Sequence, residues 1–358
     1  MPPSRPADRP LRVLHLVGSA TSAFFADLSR LYARSCLEAT ADPARYEPHV
    51  AVVDPDRRWR FPASLDPAAV AAAEPVTLAG AVARLESLGP DVVVPQMFCL
   101  PGMTSYRALF DVLGVPLVGN TAEVMAVGAA KDRARAVVAA AGVDVPAGEV
   151  LRRGERPTHP LPAVVKPAGA DNSAGVSLVR TADEWEPALA AAFAHGDEVL
   201  VEDYVELGRE VRCGLVERDG RLVGLPLEEY RLDAAERPIR RAEDKLRRDD
   251  DGELRLVAKD DPDVGIVDPA DPLTERVQEA ARRCHTALGA RHYSLFDFRV
   301  DPDGRPWFLE AGLYCSFAPT SVLAVMAAAA GTPVAELFAD SVAEALGRQV
   351  VGREAAAP

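Results

Sequence analysis

Lysine is scarce in this chain. Lys131, Lys166, Lys245 and Lys259 are the four among its 40 basic residues, and the rest are arginine. A compact ammonium on a flexible stem differs from a planar guanidinium, so each retained lysine marks a position to inspect. Cysteine is sparse too: five residues (Cys36, Cys99, Cys213, Cys284, Cys315), odd in number, widely spread and without a C-x-x-C pair. That excludes a disulfide framework or a structural zinc site and predicts free thiols. No uninterrupted apolar run reaches the roughly 18 residues of a membrane span. The opening MPPSRPADRP lacks the apolar stretch of a secretory signal, so the expected location is the cytoplasm. Positive charge is in deficit, 40 basic against 54 acidic residues for a net charge of -14. This disfavours nucleic acid and anionic membrane as partners, and an anionic ligand must meet a local positive site. What is present, 358 residues with 48% hydrophobic and 26% charged, is an ordinary globular composition with room for two or three domains.

The patterning predicts an α/β opening. LRVLHLVGS (11–19), HVAVVD (49–54) and DVVVPQ (91–96) read as strands, with TSAFFADLSRLYARSCLEA and LAGAVARLESLG as helices between them. SYRALFDVLG and VPLVGN repeat helix and strand, which predicts an N-terminal α/β domain over residues 1–120. A central domain over 121–205 then carries the helix AAKDRARAVVAAAG, two β-rich runs around a small-residue loop, the helix DEWEPALAAAFAHG and the strand EVLVEDYV. A C-terminal domain over 206–358 holds the charge-dense stretch 230–255, expected as a loop or surface excursion, and the helix DPLTERVQEAARRCHTALG. In that helix Asp271 can cap, Val277, Ala281, Cys284 and Leu288 share a face, and Gly289 stops it.

Three segments can carry chemistry. In YSLFDFRVDPDGRPWFLEA (293–311), Asp303-Gly304 favours a two-residue hairpin turn. That register sets Val300 opposite Trp307, Phe298 opposite Leu309 and Asp297 opposite Glu310. Like charges directly opposed are destabilising unless neutralised, and a divalent cation such as Mg²⁺ would neutralise them. A solvated hairpin face is the alternative, and Pro302 and Pro306 warn of a bulge. In VVKPAGADNSAGVS, Lys166 ends a strand before a loop containing Gly169, Ser173 and Gly175, which could approach phosphate oxygens or be a plain glycine-containing hairpin. In VLVEDYVELGREVR, carboxylates could meet ribose hydroxyls and connector backbone a base edge, or be solvated.

In order and separation these segments resemble the D-alanine:D-alanine ligase branch of the ATP-grasp family, from about Val94 to Leu337. The resemblance implies a three-domain ATP-grasp architecture, α/β with α+β parts, holding a nucleotide between two β-sheets. It places Lys131 and Lys166 at nucleotide-binding lysines and Ser173 and Gly175 in a phosphate-covering loop. Glu202 and Val205 fall in the adenine connector, Glu210 at the ribose-binding acid, Lys245 at a lysine that reaches the terminal phosphates, and Asp297 and Glu310 at metal ligands. The implied activity joins a carboxylate to an amine through an acyl phosphate, forming ADP, with ATP and Mg²⁺ as cofactors and Lys166, Lys245, Asp297 and Glu310 in catalysis. Small-molecule carboxylate and amine substrates and a homodimer are implied as well.

The likeness breaks at instructive places. The family's arginine two residues before the hairpin aspartate is Leu295 here, and its asparagine metal ligand two residues after the glutamate is Gly312. LYCSFAPTS replaces the usual continuation, although Ser321 stands where a substrate-contacting serine is expected. Arg299 shares a face with Asp297 under strand alternation and is a candidate replacement cation; an exposed strand arginine is the plainer alternative. MFCLPGMTSYRA (97–108) replaces the segments that recognise the first D-alanine, which points toward another substrate pair and a place in specialised metabolism. The rival reading is a nucleotide-binding sensor or partner subunit that has lost ligation. A dinucleotide oxidoreductase, suggested by RVLHLVGSATS, is weak without G-x-G-x-x-G spacing. His15 reads as a satisfied core residue, His285 with His292 as no metal pair, and Cys315 as a packed thiol rather than a nucleophile.

Overall fold

The computed structural model of the chain describes residues 9–170, 173–240, 246–248, 254–256 and 264–355. They form two compact units. One comprises the chain up to Ala122, Glu217–Arg221 and the residues from Cys315 on; the other comprises Glu123–Val216 and Leu222–Tyr314.

In the first unit β1 (Leu11–Gly18), β2 (Tyr46–Val53), β3 (Trp59–Arg60) and β4 (Val92–Pro95) form a sheet in the order β3-β2-β1-β4. β1 runs parallel to β2 and β4, and β3 is an antiparallel edge. Val13, Leu14, Leu16 and Val17 are all fully buried, the continuous apolar run of a strand covered on both faces. Gly18 closes β1 with φ +103°, where a Cβ would meet the Val53 carbonyl oxygen at 2.1 Å, so the glycine is obligatory. The following helix, Ala23–Ala39, is capped by Ser22, whose hydroxyl accepts from the Phe25 N–H at 3.3 Å. VPLVGN is not a strand. Pro116 supplies no N–H and Gly119 turns the chain at φ +91°, leaving a single bridge between Leu117 and Val93.

His15 is buried and stacks on Phe338, ring centroids 6.3 Å apart. Burial pushes its imidazole down to about 4, and the neighbouring Gln96 side chain pulls weakly the other way. The expectation of a satisfied histidine needs correction, because its Nδ1 has no hydrogen-bond partner among the described residues. All five cysteines are free and buried. Burial pushes the Cys315 thiol up to about 12, which suits a packed thiol and not a nucleophile.

The second unit carries a four-stranded and a six-stranded sheet. β5 (Gly148–Arg152), β6 (Ala163–Pro167), β7 (Ser177–Val179) and β8 (Glu198–Asp203) are antiparallel in the order β5-β8-β6-β7. Val165, Val199 and Val201 pack there against Ala188 and Ala192 of the helix Trp185–Phe193. The other sheet is built from β9 (Arg209–Arg218), β10 (Arg221–Gly224) and β11 (Glu228–Tyr230). β12 (Leu246–Arg248) and β13 (Leu254–Leu256) form a separate antiparallel pair. With β14 (Val264–Ile266), β15 (Tyr293–Val300) and β16 (Pro306–Gly312) the order of that second sheet is β14-β11-β9-β15-β16, β10 pairing with β9. Much of the charge-dense stretch beyond Arg240 lies outside the described residues. The helix Leu273–Leu288 buries Val277, Ala281, Cys284 and Leu288 as its spacing predicts, and Gly289 ends it in the left-handed region. Among the described residues no single helix is long and apolar enough to cross a membrane.

Candidate active site

The hairpin β15–β16 pairs Asp297 with Glu310, but not by the expected route. Its loop is Pro302-Asp303-Gly304: the Gly304 N–H donates to the Asp301 carbonyl at 2.9 Å, and Gly304 sits at φ +79°. Proline at the second position of a turn and glycine after it favour this longer reversal over a two-residue one. Near the loop Val300 therefore faces Pro306 and Phe298 faces Phe308, one residue off the expected register. A bulge between Asp297 and Phe298 absorbs the difference and restores the carboxylate pair.

Cross-strand pairing extends this contact into two rows on one sheet face. Tyr230, Glu210 and Arg299 form one; Glu228, Arg212, Asp297 and Glu310 form the other. The next row along is Gly214, Leu295 and Gly312, which carries no charge. A cleft opens against the charged rows. Its second wall comes from the β5–β8 sheet. Val165 points into that sheet's core, so alternation turns Val164 and Lys166 to the cleft, with Glu202 beside them on β8.

Nine of the expected site residues line this one cleft: Lys131, Lys166, Ser173, Glu202, Val205, Glu210, Asp297, Arg299 and Glu310. Gly175 does not. It sits at φ +70°, and a Cβ there would meet Ala191 O at 2.9 Å and His195 Cδ2 at 2.8 Å, so its part is to let the loop pack on the adjoining helix. Ser321 belongs to the first unit, where it precedes the helix Val322–Ala329 and its hydroxyl is buried. Lys245 lies outside the described residues.

Charges in the cleft are paired. Lys166 meets Glu202 in a buried ion pair. Lys131 stands 3.4 Å from Glu310 and donates to the Ala170 carbonyl. Arg299 is buried, not exposed as a plain strand arginine would be; it bonds Glu210 at 2.6 Å and the Val205 carbonyl at 3.3 Å. Asp297 is flanked by Arg212 at 3.0 Å and Arg240 at 3.4 Å. The carboxylate pair thus has protein cations as neighbours, which the sequence did not reveal. Burial works against the Arg212 charge, but Asp297, Tyr230, Glu228 and Glu310 outweigh it and hold the guanidinium ionised. Burial pushes the Tyr230 hydroxyl up, with Arg212 and Arg240 pulling the other way. Arg212 was findable from strand alternation, two residues beyond Glu210. Arg240 was hidden in a stretch read as surface.

Residues 149–342, more than half of the chain, match the family model described as the D-ala D-ala ligase C-terminus. The D-alanine–D-alanine ligase of Nocardia farcinica is 30% identical over 364 residues, spanning 90% of this chain and 96% of that one. The solved D-alanine-D-alanine ligase from Coxiella burnetii superposes with a TM-score of 0.76 at 20% identity, covering 97% of each chain. A D-Ala:D-Ser ligase from Enterococcus faecalis gives 0.75 at 20% identity, covering 94% of this chain and 100% of its own. The fold is the mixed α/β ATP-grasp architecture, and the class is that of ATP-dependent, ADP-forming carboxylate–amine ligases. Within that class the chain belongs to the D-alanine–D-alanine ligase family.

Proposed function

We propose that the cleft binds ATP with Mg²⁺, and that the chain activates the carboxylate of one small amino acid and joins it to the amine of a second. The observation that carries this reading is the convergence of Lys131, Lys166, Glu210, Asp297 and Glu310 on one cleft. Opposed Asp297 and Glu310 suit a hard divalent ion whose other positions are filled by phosphate oxygens and water. When bound there, the ion neutralises charge on the phosphates.

The chain's own residues do the rest by position and charge. Lys131 and Lys166 face phosphate oxygens, Lys245 serves the terminal phosphates, Glu210 takes ribose hydroxyls, and main-chain groups near Val205 meet the base edge, with Glu202 fixing Lys166. The loop around Ser173 and Gly175 keeps water from the activated carboxyl group. The substrate carboxylate attacks the terminal phosphorus and ADP leaves. The amine then attacks the acyl carbon, phosphate departs, and an amide remains. In this reading the domains are 1–120, 121–205 and 206–358, and the protein acts as a cytoplasmic homodimer on small molecules, without nucleic acid or membrane.

The finer part of the proposal concerns the substrates. The row Gly214, Leu295, Gly312 has no cation for a reacting acyl oxygen, and MFCLPGMTSYRA replaces the family's acceptor of the first D-alanine. Both favour a pair other than two D-alanines. ADP formation is to be measured with D-alanine alone and with D-alanine or other small amino acids in pairs. Turnover with some acid and amine supports ligation, and none across the panel refutes it. Best turnover with D-alanine alone refutes the finer part only.

A further inference from the structure

We propose that Arg240 binds an oxygen of the terminal phosphate of the nucleotide held in this cleft, an assignment that rests on the nucleotide reading above. Arg240 is 8% exposed, yet it lines the cleft. Its guanidinium carbon lies 3.5 Å from the centroid of the Tyr230 ring, a stacking contact that fixes the plane of the group and leaves its N–H edge available.

Each carboxylate near Arg240 has another arginine nearer to it. Arg212 Nε stands 3.0 Å from Asp297 Oδ1 as an ion pair, while Arg240 Nη1 donates a long hydrogen bond of 3.4 Å to Oδ2. Arg299 reaches Glu210 Oε2 at 2.6 Å, whereas Arg240 Nε stands 4.0 Å from Oε1. Arg240 Nε is buried with no hydrogen-bond acceptor among the described residues. A buried N–H without an acceptor is costly, and an arriving anionic oxygen would remove that cost. The planar fork of a guanidinium suits a phosphate. It stands between Asp297 at 3.4 Å and Glu210 at 4.0 Å, beside the carboxylate assigned to the metal-bound phosphates, and the row beyond Asp297 (Gly214, Leu295, Gly312) carries no charge. Arg212, held between Glu228 at 3.6 Å and Asp297, is a positioning residue for that carboxylate.

The test is calorimetric binding of ATP, ADP and adenosine to the full chain, with and without Mg²⁺, for wild type, Arg240→Met and Arg240→Lys. Loss of a charge-assisted hydrogen bond predicts that Arg240→Met binds ATP about 10- to 100-fold more weakly. ADP should weaken less, adenosine should bind unchanged, and Arg240→Lys should recover part of the ATP affinity. A purely structural guanidinium would weaken ATP and adenosine alike, and that outcome overturns the proposal, as does unchanged ATP affinity in Arg240→Met. If circular dichroism shows Arg240→Met unfolded, Arg240→Lys decides by the same ATP-to-adenosine ratio. Failure of the wild type to bind ATP would sink the nucleotide reading itself; wild-type binding matched by the variant removes Arg240 alone.

Discussion

Both units bury polar side chains, but the ones that border the cleft are treated differently from His15 and the thiols in the first unit's core. In the first, His15, Cys36 and Cys315 lie in the core as neutral groups: burial drives the imidazole down to about 4 and the thiols up to about 12. In the second, Lys166 with Glu202, Arg299 with Glu210 and Arg212 with Asp297 are buried as opposite charges, and the set borders a cleft. Burial by itself therefore says little about function. A group buried alone gives up its charge; a group buried beside a countercharge can present it to a ligand.

The largest expected effect comes from breaking a pair in the second unit. Lys166→Met leaves Glu202 buried without its partner and should cost about 3–5 kcal/mol by denaturant unfolding. Adding Glu202→Gln should restore most of that stability while ATP affinity stays low; full recovery of ATP affinity would make the pair structural only. Next, Glu310→Gln should lower metal-dependent turnover by about 10²–10³-fold, the scale of losing one preorganised charge contact, with a near-normal melting temperature. Near-normal turnover would remove Glu310 from the chemistry.

The first unit should answer to acid instead. His15 is neutral when folded, and the unfolded chain takes up its proton near the ordinary value of 6.5. Stability is thus highest above that value, falls as pH drops toward about 4, and levels off where the folded form is protonated too. The loss attributable to His15 is up to about 3 kcal/mol. Urea unfolding at neutral and acid pH should show a shallower loss in His15→Phe than in wild type, and equal slopes would refute the assignment. The smallest effect is at Cys315, where substitution by serine should leave turnover unchanged; its abolition would mean a nucleophile.

Much of this was legible from local pattern. The strands of the α/β opening and the helix Leu273–Leu288 follow from rules that act over a few residues. The carboxylate pair was legible for a different reason than the one that holds. The reversal through Pro302-Asp303-Gly304 shifts the strands by one residue, and a bulge shifts them back. Turn type depends on how three residues compete, and a bulge on the pairing partner, so neither is written in hairpin spacing alone. Arg240 was missed because a charge-dense sequence resembles solvated surface until a Tyr230 on another strand is known to lie under it. Arg299 was left between a candidate cation and an exposed strand arginine because its partner Glu210 lies 89 positions away in sequence.

The first compact unit is assembled from three separate stretches, while the second is complete once Tyr314 has been added. During synthesis the second unit has its whole sequence in hand while the first still awaits Phe338, the ring on which His15 stacks. The apolar clusters of the first unit's sheet are already complete by Leu117, so what its last stretch adds is the ring that covers His15.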